Sequence, residues 1–118
     1  MFARVTIFAV KPAAWPGLIA VARDRAMPAS QGHQGFLRAE LLTRSRLNQA
    51  IYTSFWHTEF DAMEAEKQGL LDEEMALFEP YASGPGIVEG YEVSALVDVS
   101  SSPEAADEPE TRSTTMSQ

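Results

Sequence analysis

Few side chains in this sequence can exchange a proton near neutral pH. There are two histidines, His33 and His57, and no cysteine. Histidine ordinarily titrates closest to pH 7, so either could serve as a general base. His33 lies in the loop Ser30-Gln31-Gly32-His33-Gln34-Gly35 and is expected at a pocket mouth. His57 sits where a helix begins, and the N–H groups there disfavour a charged imidazole. The alternative for both is a solvent-exposed side chain with no chemical role. Two histidines and no thiol make no convincing metal-ligand set. His57 and Asp61, four residues apart, could share a helix face, a pairing common by chance. Without cysteine there are no disulfides, thiolate metal sites or cysteine nucleophile.

The second chemical group is Tyr52, Ser54 and Trp56. Alternation along a strand puts all three on one face. Tyr52 either hydrogen-bonds a substrate oxygen or buries its ring and satisfies its hydroxyl locally. Trp56 is read first as a core aromatic filling the gap between sheet and helix, and second as a substrate contact. Phe60 and Met63 fall on one face of the following helix, from which they are expected to close a pocket beneath Trp56.

The elements that must hold these residues are readable. Phe36 to Thr43 alternates Leu37, Ala39 and Leu41 against Arg38 and Glu40, the two-residue period of a strand. Arg44 to Asn48 is polar and turn-prone. Ala50 to Trp56 is β-branched and aromatic, so the two runs predict an antiparallel hairpin. Thr58, three residues before Asp61, marks a helix start, and Gly69 a stop.

Before this stretch, residues 3 to 10 predict a strand, with Val5, Ile7 and Ala9 on one face and Arg4, Thr6 and Phe8 on the other. Trp15, Leu18, Ile19, Ala22 and Ala26 predict a helix with Pro16 in its first turn, ending near Pro28. After it, Leu70 to Phe78 predicts a second helical segment, opened by the acids Asp72 to Glu74, with Leu71, Met75 and Phe78 on one side. Val88 to Val99 predicts the last strand. The order strand, helix, strand, strand, helix, strand is that of a ferredoxin-like split β-α-β α+β domain with a four-stranded antiparallel sheet. Both helices must cover one face. Phe8, Ile51, Thr53 and Phe55 are expected to leave the other face apolar, and its simplest cover is a second copy, giving a homodimer. Arg4, Arg38 and Glu40 are read as cross-strand pairs or, by preference, as a salt-bridge set in that interface.

The chain has 118 residues, 45% of them hydrophobic, enough for one domain with a core. The formal net charge of −8 leaves no basic face for nucleic acid or an anionic membrane. The apolar run Val5 to Val10 is too short for a signal peptide or a membrane span, so the expected location is cytoplasmic. Residues 101 to 118 carry four acids, one arginine and two prolines. They are expected to form a disordered acidic tail after a folded domain of residues 1 to 100.

The motifs Gly35-Phe36-Leu37, Tyr52 to Trp56, and Trp56-His57-Thr58-Glu59-Phe60-Asp61-Ala62 resemble those of the dimeric α/β barrel proteins, and among them the antibiotic-biosynthesis-monooxygenase-like domains. The resemblance covers about residues 2 to 99. It implies a homodimer with a pocket between sheet and helices in each subunit. It also implies a cofactor-independent monooxygenase, in which a phenolic or quinone-type aromatic is deprotonated and its carbanion passes an electron to dioxygen. The alternative is a non-catalytic dimeric domain holding a small apolar molecule. A third activity in the family is heme degradation. Glu66 falls at or near the position of those relatives' helix histidine, and Val5 near that of their first-strand asparagine, so neither residue is present and no cofactor is expected. Glu66 is then a candidate catalytic carboxylate or, by default, a solvated helix charge.

Overall fold

The fold is built on a hairpin and a helix cap that local chemistry dictates. In the computed structural model, which describes residues 1–98, the hairpin is β2 (Phe36–Arg44) and β3 (Gln49–Trp56), joined by a 3₁₀ turn at Ser45–Leu47. Asn48 closes the turn in the left-handed region at φ 51, which asparagine tolerates. Leu37 falls at a register irregularity in β2 and is turned outward. Gly35, at φ 83, gives its carbonyl to the His57 N–H at 2.7 Å, and a Cβ there would run into Asp61. The helix α3 (Glu59–Lys67) starts where the Thr58 hydroxyl accepts from the Asp61 N–H at 3.0 Å. Gly69, at φ 97, turns α3 into α4 (Leu70–Phe78).

The first strand is β1 (Phe2–Ala9), followed by α1 (Trp15–Val21). The helix does not end at Pro28. It passes through a π turn over Ala22–Ala26, where the Met27 N–H donates to the Ala22 carbonyl, and continues as α2 (Met27–Gln31). Proline lacks the N–H and its ring crowds the carbonyl four residues back; the wider π winding relieves both. The last strand, β4 (Ile87–Glu92), is shorter than the sequence predicts. Among the described residues it pairs with β1 alone, in register from Ile87 opposite Ile7 to Glu92 opposite Phe2, with one further bond from the Val93 N–H to the Met1 carbonyl. Val99 and the expected tail lie outside the described residues. No helix among the described residues is long and apolar enough to cross a membrane.

The sheet order is β2-β3-β1-β4, antiparallel throughout, with the helices on one face. This is the predicted ferredoxin-like α+β arrangement. The core joins Phe8, Leu18, Ala22, Ala26, Tyr52 and Phe78, with Phe8 stacked on Phe78 at 5.4 Å and Tyr52 edge-on to it at 5.1 Å. A second cluster joins Phe2, Trp56, Ala62, Ala65 and Leu70.

Two expectations about the faces are corrected. Phe8 belongs to the helix-covered face, as does Arg4. Alternation separates two sets of residues but does not say which set meets the helices. The uncovered face instead carries Val5, Ile7, Ile51, Thr53 and Phe55, flanked by Leu42, Ile87 and Tyr91. On it Arg38 pairs with Glu40 at 2.6 Å and lies over the Phe55 ring at 4.9 Å.

Candidate functional site

Beneath Trp56, β1 and β3 meet α3 and α4 in a crevice lined by Arg4, Ser54, Trp56, Glu66, Leu71 and Glu74. Its volume is about 10 Å³, room for roughly one water. Trp56 is buried, its indole N–H donating to the Ser54 hydroxyl at 3.0 Å and its ring set edge-on to Phe36 at 5.5 Å. Phe60 and Met63 do not close the crevice. The Thr58 cap sets the helical phase so that Ala62 and Ala65 point inward, and Phe60 is 67% exposed. Small inward residues suit a face already filled by an indole.

Arg4 reaches into this interior from β1. Its guanidinium is ion-paired with Glu66, which stands half-exposed at the mouth, while its Nε is buried without an acceptor. Burial lowers the Arg4 pKa, and the charges of Glu74 and Glu59 oppose that. Glu66 is therefore not the solvated helix charge expected by default, and Arg4 is not part of a set on the uncovered face.

The residue that sequence reasoning missed as a site is Glu74. It is 4% exposed, within a ring of groups from four elements: Arg4 on β1, Ser30 on α2, Tyr52 on β3 and its own α4. Burial pushes its carboxyl up to about 7, and Ser30 and Arg4 restrain the rise. The Ser30 hydroxyl donates to Glu74 Oε2 at 3.2 Å and also lies 3.3 Å from the Ala26 carbonyl, so its one hydrogen is shared between the two acceptors. The sequence held a signal: Leu70, Glu74 and Phe78, four apart, are the buried stripe of α4, one residue behind the stripe that Leu71 and Met75 suggest.

Tyr52 is 1% exposed, its hydroxyl beside Ser30 and Glu74 but in no hydrogen bond of proper geometry. Burial and then the charge of Glu74 raise its pKa, so it stays a phenol. The histidines lie elsewhere. His57 is exposed, and His33 pairs through Nδ1 with Gln68 at 3.1 Å in a shallow depression it shares with Phe60, Asp61 and Glu64. The fold thus gathers Ser54, Trp56 and Glu66 at one crevice with Tyr52 behind it. It leaves His33, His57, Phe60 and Met63 outside. Among the described residues no group of three or more His, Cys, Asp or Glu could hold a metal ion.

A second, open cleft of about 910 Å³ lies between β1, β4, α4 and the loop 82–86. Phe8, Phe78, Met75 and Val88 give it an apolar floor, with Thr6, Lys11 and Glu79 at its polar edges.

No family model matches the sequence, and no curated protein matches it. Solved structures do. A monooxygenase from Streptomyces coelicolor, solved with nanaomycin D, is 20% identical with a TM-score of 0.67, over 81% of this chain and 89% of that one. The cofactor-independent oxygenase SnoaB from Streptomyces nogalater is 21% identical with a TM-score of 0.61, over 81% and 95%. The heme-degrader MhuD from Mycobacterium tuberculosis, solved with two hemes in its active site, is 22% identical with a TM-score of 0.65, over 83% and 100%. The described chain therefore has the ferredoxin-like α+β fold of the antibiotic-biosynthesis-monooxygenase structures.

Proposed function

We propose that this protein is a homodimeric, cofactor-independent oxygenase for a flat phenolic or anthrone-type aromatic, with Glu74 as its base. The observation that carries the reading is the burial of Glu74 beside Arg4, Ser30 and Tyr52 at the Trp56 crevice. A carboxyl raised to about 7 matches the task of removing a weakly acidic proton near neutral pH. The substrate carbanion then gives an electron to dioxygen and the pair recombines as a hydroperoxide. Loss of water leaves a carbonyl on the former CH₂. One oxygen atom stays in the product; the other leaves as water with the two hydrogens. The likeness to a cofactor-independent oxygenase supports this chemistry. Incubation of anthrone under ¹⁸O₂, with no added metal or flavin, tests it. The quinone formed should carry one labelled oxygen, and formation no faster than in buffer sinks the oxygenase.

A second reading, a binding domain for an apolar molecule, is favoured by the open cleft over Phe8 and Phe78. Mass spectrometry of small molecules co-purifying with the native protein distinguishes it. The dimer rests on the uncovered face, where Leu42, Ile87 and Tyr91 are each at least half exposed. Light scattering should give about twice 13.0 kDa; a monomer at micromolar concentration contradicts it. The residues do not fit heme as a ligand or substrate. Glu66 stands engaged with Arg4 where a ligating histidine is needed, and Val5 points to the opposite face of the sheet from the crevice. Hemin titration should give no saturable histidine-ligated complex.

A further inference from the structure

Arg4 stands between two carboxyl groups with unequal positions. Glu74 lies inside, held by Ser30, whereas Glu66 lies at the crevice mouth with its side chain 35% exposed. The Arg4 side chain is only 12% exposed. A cation so buried is costly without an anion beside it, so anything that parts Arg4 from Glu66 must supply a negative charge in return. Glu66 also leaves the Arg4 Nε donor without an acceptor. The crevice is otherwise lined by the half-buried Leu71 and the buried short chains Ala62 and Ala65, with the Trp56 indole as its inner wall.

We infer that Glu66 is an internal stand-in for the ligand, and that Arg4 exchanges it for the ionised oxygen of a flat aromatic, a phenolate or carboxylate, whose ring takes the place of the Glu66 side chain at the crevice mouth beside Leu71. This rests on the crevice being the substrate site, as proposed above, and adds how that site opens and what it selects. Exchange keeps Arg4 paired throughout and satisfies the donor that Glu66 leaves unused. A neutral aromatic of the same shape leaves Arg4 to Glu66 and binds more weakly than the anion; a substrate that enters neutral gains Arg4 only once Glu74 has taken its proton. Removal of the Glu66 charge abolishes the competitor and tightens binding of the anion.

The test uses the full chain and two probes, 2-naphthoate and its neutral methyl ester, titrated by calorimetry. Wild-type protein should prefer the naphthoate. Glu66→Gln should tighten naphthoate about tenfold, equivalent to about 1.4 kcal/mol, and leave the ester unchanged. Arg4→Gln should erase the preference. If that variant does not fold, as judged by circular dichroism, Glu66→Gln and Glu66→Ala decide alone. Unchanged or weaker naphthoate binding in the Glu66 variants, equal affinity of wild type for the two probes, or binding of neither overturns the inference. Its failure is separable from that of the oxygenase. Naphthoate binding that follows this pattern, with no labelled quinone from anthrone, keeps the exchange and removes the oxygenase. Labelled quinone with naphthoate binding indifferent to Glu66 does the reverse.

Discussion

The buried carboxyl of Glu74 makes stability depend on pH with a definite sign. Burial carries it from an ordinary 4.5 up to about 7. In the unfolded chain it loses its proton near 4.5; in the folded chain it keeps that proton until about 7. Between those values the unfolded state binds fewer protons, so stability falls as pH rises and levels off above about 7. At about 1.4 kcal/mol for each tenfold in the protonation equilibrium, the loss is on the order of 3 kcal/mol. For a domain of this size that corresponds to about 10–20 °C in thermal midpoint. Glu74→Gln keeps the shape and the bond to Ser30 but cannot ionise. Urea unfolding of both proteins at several pH values isolates the effect, because every other titrating group is common to the two. From pH 5 to 8 the wild type should lose on the order of 3 kcal/mol more than the variant. Parallel curves would refute the claim that Glu74 is buried and neutral.

Other perturbations have equally plain expected outcomes. Tyr52→Phe removes a buried hydroxyl that makes no proper hydrogen bond, so the thermal midpoint should hold or rise; a fall equivalent to more than about 1 kcal/mol would show that the hydroxyl is bonded. Thr58→Ala deletes the oxygen that accepts from the Asp61 N–H and should cost about 1 kcal/mol, read by urea unfolding. Trp56→Ala removes a ring buried against Phe36 and should cost about 3–5 kcal/mol, leaving a cavity beside Ala62 and Ala65.

The parts of this fold legible in the sequence are those set by neighbours in the chain. Thr58 caps α3 because its hydroxyl is three residues from the N–H it accepts, and the hairpin follows from a short polar link between two β-prone runs. What depended on distant partners was harder to read. The side of the sheet that Phe8 faces is decided by where α4 brings Phe78. Phe60 and Met63 looked like an apolar helix face, but the Trp56 indole fills that side and admits only alanines. Pro28 looked like a helix end because the π turn upstream has no composition signal. Glu74 was hidden among three consecutive acids at a helix start, where a negative charge needs no other explanation. Its burial becomes visible only when α2, β1 and β3 close around it.

The central claim is that Glu74 takes a proton from a phenolic or anthrone-type substrate and commits it to dioxygen. The direct measurement is oxygen uptake against pH, with anthrone under air and no added metal or flavin, for wild type and Glu74→Gln. A base must be ionised to act, so the wild-type rate above the uncatalysed reaction should rise with pH, reach half its plateau near 7, and vanish in the variant. Uptake no faster than buffer at every pH, or a variant that retains the wild-type rate and profile, would contradict the account.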